Sequence, residues 1–455
     1  MANQSIIRIT RELHDMQKGS DLSIAVACKD SDVRHVRALV IGPPDTPYEF
    51  GYFEFQIRFG KDYPTKPPTV TAMTTNGGRT RFNPNIYAGG KVCLSILGTW
   101  RGERGEEWSS AQGLESILLS IQSLMSGNPY ENEPGFEDAN SDGDKRAQKA
   151  YIDKIRHETL RISVIERLED YLGISRRPKI AVYSADSDYS NAFDAPFEPF
   201  IDKCKRRFLW YYDSYALSMD NGLRMHKDGA HFEKMPFEGP SNSMDGTFMY
   251  SNLKSRVQTI HDKLNEETLA WAGEGQVAVQ QEKSISVNLQ RQFEQIVEVY
   301  KKTDALSLDL ELVDKNPFLW QLILYGRPMT HLDGGIFRIK IYLSPRYPAE
   351  QPRVKVETPL FHHRVSSSGD LCYLVTSDNC EDMKIHVQAI VAAIEDDHPA
   401  YDPRTLVNPE ASKLLWGTAD DKKIYNRKLR RSVQDSAEYV DALLDLMQSA
   451  NIPVR

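Results

Sequence analysis

Residues 83–97 read Asn83-Pro84-Asn85-Ile86-Tyr87-Ala88-Gly89-Gly90-Lys91-Val92-Cys93-Leu94-Ser95-Ile96-Leu97, so an amide side chain, Asn85, precedes a cysteine, Cys93, by eight positions. The Gly89-Gly90 pair between them supplies the backbone freedom of a tight turn, which folds the two ends of the segment toward each other. A nucleophile and a polar donor are thereby brought together. A thiolate attacks carbonyls well and later leaves well, so cysteine suits an acyl group carried as a thioester. The attack builds an oxyanion, and an amide N–H stabilises one. No residue of the segment supplies a strong base to the cysteine, which suits a carrier whose acyl group arrives already activated. The plainer alternative is a small buried cysteine beside a turn asparagine.

These residues need a scaffold, and the flanking sequence writes an α+β one. Residues 5–18 set Ile6, Ile9, Leu13 and Met16 at helical spacing, with Arg8, Arg11, Glu12 and Lys18 mostly opposite, so the chain opens on an amphipathic helix. Residues 34–41 and 52–59 alternate apolar with polar side chains and are separated by Pro/Gly turns, the pattern of an antiparallel meander. Tyr63-Pro64 and Pro67-Pro68 hold an extended crossing, because proline lacks the N–H that a ladder or helix uses. Residues 114–125 read as a buried helix. Polar loops at 76–79 and 102–107 are placed to flank the cysteine, with partner discrimination or neutral surface as their alternatives.

Around this plan lie Gly42-Pro43-Pro44-Asp45-Thr46-Pro47-Tyr48, Gly51-Tyr52-Phe53-Glu54-Phe55, Asp62-Tyr63-Pro64-Thr65-Lys66-Pro67-Pro68 and Trp108-Ser109. Taken in this order with the cysteine segment, they resemble the ubiquitin-conjugating enzymes. The resemblance implies that fold: a four-stranded antiparallel meander with an N-terminal helix and C-terminal helices. It implies that Cys93 accepts ubiquitin from an activating enzyme and that Asn85 is the oxyanion asparagine. Ubiquitin, an activating enzyme, ubiquitin ligases and protein substrates are then the partners, with no bound cofactor or metal. The family's His-Pro-Asn reads Asn83-Pro84-Asn85 here, and its Trp-Ser-Pro-Ala reads Trp108-Ser109-Ser110-Ala111. In the family the opening helix helps dock the activating enzyme, which makes Arg8 and Arg11 candidates beside the alternative of solvated face charges. An acidic residue that assists the incoming amine falls near Asn128-Pro129-Tyr130-Glu131-Asn132-Glu133, where Asn132 and Glu133 both fit within one residue of register.

The likeness continues through Phe136-Glu137-Asp138, Ile155-Arg156-His157-Glu158-Thr159-Leu160-Arg161 and Phe208-Leu209-Trp210-Tyr211-Tyr212-Asp213-Ser214-Tyr215, which resemble the long extension of the family's Z-type branch over about residues 4–272. That branch takes ubiquitin from the second, non-standard activating enzyme. Adjacent residues diverge around a helix, so His157 and Glu158 are read as packing or surface residues. Residues 184–199 read as a loop and 273–284 as a linker.

Beyond the linker the chain repeats itself. One constant offset carries Gly42 to Gly326, Pro44 to Pro328, Thr46 to Thr330, Gly51 to Gly335, Phe53 to Phe337, Tyr63 to Tyr347, Pro64 to Pro348 and Pro68 to Pro352. With the 76–79 loop removed, a slightly shorter offset carries Cys93 to Cys372 and Asn85 to Arg364. The expected plan is therefore a catalytic domain over 1–138, a mainly helical extension over 139–272, and a second copy of the fold over 285–455. This copy keeps a cysteine, Cys372, and a carboxylate, Asp402, but loses the amide and the following tryptophan. A binding copy with a residual thiol and a second active cysteine are the two readings. His362-His363 with Cys372 and Cys380 match no common zinc spacing.

Composition narrows the classes further. The length of 455 residues accommodates about three domains. A formal charge of -8 without a long basic run offers nothing to a phosphate backbone, so no nucleic acid is expected. Five cysteines without a CxxC pair argue for a reducing compartment. No apolar run approaches membrane-spanning length, and the N-terminus lacks a leader pattern, so a cytosolic or nucleocytoplasmic protein is expected. Ser175-Arg176-Arg177-Pro178-Lys179 is read as solvated loop rather than a nuclear signal. A cysteine protease needs a placed base, and Gly89-Gly90-Lys91-Val92 lacks the residues of a phosphate loop. A non-catalytic ubiquitin-binding scaffold is the serious alternative.

Overall fold

The computed structural model describes residues 2–19, 22–102, 105–175, 197–239, 244–302 and 308–449. The basic cluster at 176–179 and nearly all of the 184–199 loop lie outside the described residues, as do positions 103 and 104 of the loop after Cys93. The chain divides into two compact units, one of residues 1–204 with 218–260 and one of residues 205–217 with 261–455.

The first unit begins with α1 (Ala2–Lys18), followed by β1 (Ile24–Lys29), β2 (Asp32–Ile41), β3 (Tyr52–Arg58) and β4 (Thr69–Ala72), hydrogen-bonded antiparallel in chain order. The register pairs Val36 with Ile57, Ala38 with Phe55 and Val40 with Phe53, which puts all six side chains in the core. Ile9 and Leu13 of α1 cover one end of that face. Helix α2 (Leu114–Leu124) adds Leu114, Ile117, Leu118 and Ile121, the spacing of one helix stripe. Each such side chain stabilises the fold by about 1.5–3 kcal/mol relative to leaving it in water.

The sheet's other face is polar at Glu54, which takes Arg37 Nε at 2.8 Å and Arg167 Nη1 at 2.7 Å. Arg167 arrives there because α3 (Asp142–Glu158) runs through a π-helical stretch, Thr159–Glu166, into α4 (Arg167–Tyr171). Gly51 leads into β3 beneath that stretch, and a Cβ on it would lie 2.6 Å from both Ser163 Oγ and Thr159 Cγ2. His157 and Glu158 do meet, at 3.0 Å, inside a cluster with Arg161 and the rings of Phe232, Phe248 and Tyr250, so they pack the extension.

Helices α5 (Ile201–Met225) and α6 (Tyr250–Gln280) each contribute to both units. In the second unit α7 (Ser284–Lys302) precedes β5 (Leu308–Leu312), β6 (Leu319–Tyr325), β7 (Ile336–Tyr342) and β8 (Arg353–Val356), again antiparallel in chain order. Trp320, Leu322 and Leu324 pair with Ile341, Ile339 and Phe337 on the buried face. Helices α8 (Met383–Glu395), α9 (Pro409–Leu415) and α10 (Ala419–Ser449) complete it.

The expected linker at 273–284 is corrected by the structure, because α6 continues to Gln280 and α7 begins at Ser284. A Cβ on Gly275 would lie 2.5 Å from the Cβ of Phe318, so this glycine lets the helix approach the second unit's core. Ala278 is buried in the same core, and Asn316 Nδ2 donates to the Ala272 carbonyl at 2.8 Å. Among the described residues no helix is long and apolar enough to cross a membrane.

Candidate active site

Gly90 adopts φ +89°, and a Cβ there would lie 2.8 Å from the Ala72 carbonyl, so glycine is required for the turn to lie against β4. Ala72 N–H donates back to the Gly90 carbonyl at 2.8 Å. The segment that leaves this turn brings Cys93 to Asn85 with reciprocal bonds. Cys93 N–H donates to the Asn85 carbonyl at 2.8 Å, and Asn85 Nδ2 donates to the Cys93 carbonyl at 3.0 Å. An amide nitrogen carries two hydrogens, and no bond among the described residues uses the second. The site therefore presents an N–H donor beside the Cys93 backbone.

Asn83 holds Asn85 in place. Its Oδ1 accepts the Asn85 N–H at 2.9 Å, and its Nδ2 donates to the Tyr48 hydroxyl at 3.0 Å and the Leu124 carbonyl at 2.8 Å. Burial pushes the Tyr48 hydroxyl well above its ordinary range, and it donates in turn to the Phe82 carbonyl at 2.7 Å. After Cys93 the chain is pinned by Thr99, whose hydroxyl donates to the Val92 carbonyl at 2.7 Å and accepts the Leu94 N–H at 3.0 Å. Trp108 Nε1 donates to the Pro64 carbonyl at 2.8 Å, anchoring the following loop.

Asn132 and Glu133 both reach this neighbourhood, at different places. Asn132 Nδ2 donates to the Leu124 carbonyl at 3.0 Å and to Asn83 Oδ1 at 3.4 Å. Glu133 Oε2 pairs with Arg81 Nη2 at 3.0 Å, and that guanidinium also donates through Nε to the Pro84 carbonyl at 3.2 Å. Arg81 had no signal in the sequence, because nothing in its spacing distinguishes it from a surface arginine. Arg8 is turned inward: it donates to Glu12 at 2.7 Å and to the Ser110 and Gln112 carbonyls at 2.6 and 2.7 Å. Its bonds brace α1 against the start of α2, whereas the Arg11 side chain is 82% exposed.

The second copy repeats the backbone of the site. Cys372 N–H donates to the Arg364 carbonyl at 2.9 Å, and Arg364 N–H donates to His362 Nδ1 at 3.2 Å. Gly369 has φ +85° against Val356, as Gly90 has against Ala72. The side chains differ. Burial pushes the Cys372 thiol up to about 11, although the Arg207 and Arg364 guanidiniums oppose that rise. Arg364 Nε is buried with no hydrogen-bond partner among the described residues. Asp402 is occupied: its oxygens accept Arg404 N–H at 3.0 Å and Arg404 Nε and Nη2 at 2.9 Å. Burial pushes its carboxyl up, and these bonds more than reverse that, holding it below the usual range.

Residues 205–217 of α5 lie in this unit and cover the copy's cysteine line. Asp213 accepts Ser367 N–H at 2.7 Å and Ser367 Oγ at 2.6 Å, and the buried Tyr211 donates its hydroxyl to the Arg404 carbonyl at 2.7 Å. Among the described residues no three His, Cys, Asp or Glu side chains gather where a metal could sit.

The profile of the family described as ubiquitin-conjugating enzyme matches residues 8–159 and again residues 288–433, together more than half of the chain. The chain belongs to the ubiquitin-conjugating enzyme family. It carries that fold twice in tandem, one match for each four-stranded sheet. It is 41% identical over 266 residues to Ubiquitin-conjugating enzyme E2 Z of Xenopus tropicalis, covering 58% of this chain and 74% of that protein. The human Ubiquitin-conjugating enzyme E2 Z is 39% identical over 265 residues, covering 58% of this chain and 65% of its own length. A solved structure, human Ubiquitin-conjugating enzyme E2 G1, is 31% identical over 28% of this chain and 96% of its own, with a TM-score of 0.24. The family's transferase activity works with ubiquitin, an activating enzyme and ligases, and the likeness to E2 Z places this chain near the Z-type branch.

Proposed function

We propose that the first copy carries the conjugating activity through Cys93 and that the second copy takes no acyl group. The Cys93 thiolate attacks the carbonyl by which ubiquitin is bound to the activating enzyme; a new C–S bond forms and the activating enzyme's thiolate leaves. A lysine amine then attacks that thioester. The carbonyl electrons collect on oxygen, where Asn85 Nδ2–H donates, and collapse as the C–N bond forms and the Cys93 thiolate departs. The amine's proton passes to water or a nearby acceptor. The reciprocal bonding of Asn85 and Cys93 is the observation that carries this reading.

The second activating enzyme is the proposed donor, supported by the likeness to E2 Z. Arg11, exposed on α1, is the remaining candidate for docking it, and five unpaired cysteines support a cytosolic or nucleocytoplasmic site of action. For the second copy a binding role is favoured by burial that pushes its thiol up, its occupied Asp402 and an arginine in the amide's place. Incubation with ubiquitin, ATP and each activating enzyme in turn tests the reading. A reductant-sensitive adduct on Cys93 formed with the second enzyme supports it, and charging by neither enzyme overturns it.

A further inference from the structure

In the first copy Glu133, the carboxylate that the family resemblance offers for assisting an incoming amine, does not stand free. It is paired with Arg81 Nη2 at 3.0 Å, and the two side chains are only 19% and 8% exposed. The Arg81 guanidinium donates through both Nε and Nη2 to the Pro84 carbonyl and lies 4.5 Å over the Tyr87 ring. The Pro84 carbonyl belongs to the peptide that joins Pro84 to Asn85. A planar guanidinium held by a carboxylate on one side and a ring on another has little freedom of its own, so it fixes that peptide's plane. Asn83 grips the same peptide from its N–H side at 2.9 Å. Both ends of the link into Asn85 are therefore clamped, one by a neutral amide and one by an ion pair.

We infer that Arg81 is a positioning residue for acyl transfer, and that Glu133 acts by orienting Arg81 rather than by taking the amine's proton. The inference rests on Cys93 and Asn85 being the transfer site. Arg81 and Glu133 touch neither the thiol nor its carbonyl among the described bonds, so their effect falls on where Asn85 Nδ2 points when charge develops. Misplacement of a donor by about an ångström costs up to roughly 10²-fold in rate. Charging of Cys93 asks less of that donor, because one thioester is exchanged for another.

The test uses the full chain charged with ubiquitin and chased with free L-lysine under single turnover, from pH 6 to 9, with the charging step recorded for every variant. Arg81→Ala and Glu133→Ala are each expected to charge and then to transfer more slowly, by roughly 10- to 100-fold. The double variant should be no slower than the slower single, because the two side chains act as one unit. Glu133→Gln still accepts from Arg81 and should transfer with the parent pH profile, while Arg81→Lys, which keeps charge but not the fork, should fall between parent and Arg81→Ala. Parent-like transfer by Arg81→Ala, additive losses in the double variant, or a Glu133→Gln profile shifted to higher pH would overturn the inference. If Arg81→Ala fails to fold, the Glu133→Gln profile still decides. A parent chain that never charges Cys93 refutes the transfer site instead.

Discussion

Two turns in this molecule present a cysteine on nearly the same backbone. Cys93 and Cys372 each donate their N–H to the carbonyl eight residues earlier, at 2.8 and 2.9 Å, and each turn passes through a left-handed glycine against the sheet's last strand. The residue that offers that carbonyl donates its own N–H to a side chain two positions earlier: Asn85 N–H to Asn83 Oδ1 in one turn and Arg364 N–H to His362 Nδ1 in the other. The family's histidine is thus kept in the second copy and replaced in the first, where Tyr48 supplies a hydroxyl to the replacing amide. The equivalent of Tyr48 is the buried Leu332, so that partner is lost where it is not needed. Shaping the turn and running the chemistry are separable. The turn tolerates asparagine or histidine, while on the proposed mechanism transfer depends on what stands at position 85 or 364.

Replacing the nucleophile should separate the copies most completely. Cys93→Ala is expected to abolish the reductant-sensitive ubiquitin adduct of the full chain on non-reducing gels, and Cys93→Ser to give an ester that thiol reductant does not remove. An adduct that survives in Cys93→Ala would join the two copies again. Asn85→Ala comes next: charging should continue, while transfer to lysine falls by roughly 10²- to 10³-fold, the usual loss of one oxyanion donor. Equal damage to both steps would make Asn85 structural only. The reverse change, Arg364→Asn, should raise nothing, because an amide restored beside a buried thiol has no thioester to act on.

Acid should also tell the units apart, more weakly. Burial holds His363 at about 3 and His386 at about 4, below the ordinary 6.5. A depressed histidine favours the neutral form in the fold, so its contribution is complete above pH 6.5 and fades as pH falls toward those values. The slope is about 1.4 kcal/mol per pH unit for each histidine. In the first unit burial pushes Glu158 up, but Arg161 and His157 more than offset it and hold the carboxyl at about 2 against an ordinary 4.5. That contribution is complete above pH 4.5 and fades only below it. Hydrogen exchange read by mass spectrometry from pH 7 to 3 should therefore show protection weakening first around His363 and His386. Earlier loss around Glu158 would contradict the assignment. Smallest of all, Cys372→Ala should leave the rates of charging and transfer unchanged in the same gel assays.

Both sheets were legible because alternation and the Pro/Gly turns are local signals, and the constant offset showed that the second copies the first. Asn85 and Cys93 were legible because a glycine turn dictates that its two ends meet. The 273–284 segment was misread since Gly275 serves a close approach to Phe318, which lies more than forty residues away and leaves no local trace. Arg81, and the covering of the second cysteine line by residues 205–217, were invisible for the same reason: their partners are Glu133, Ser367 and Arg404, each distant in sequence. Arg8 had the look of a docking residue on a solvated face, but two backbone carbonyls of the Ser110–Gln112 loop take its guanidinium.

The difference between the two copies is tested most directly by mapping the adduct itself. The full chain, charged with ubiquitin in the presence of activating enzyme and ATP, is alkylated at its remaining thiols, digested without reductant and read by mass spectrometry. The ubiquitin remnant is predicted on the Cys93 peptide, with the Cys372 peptide free of it. A reducible ubiquitin remnant on Cys372 would show that the second turn is an active site and contradict the account.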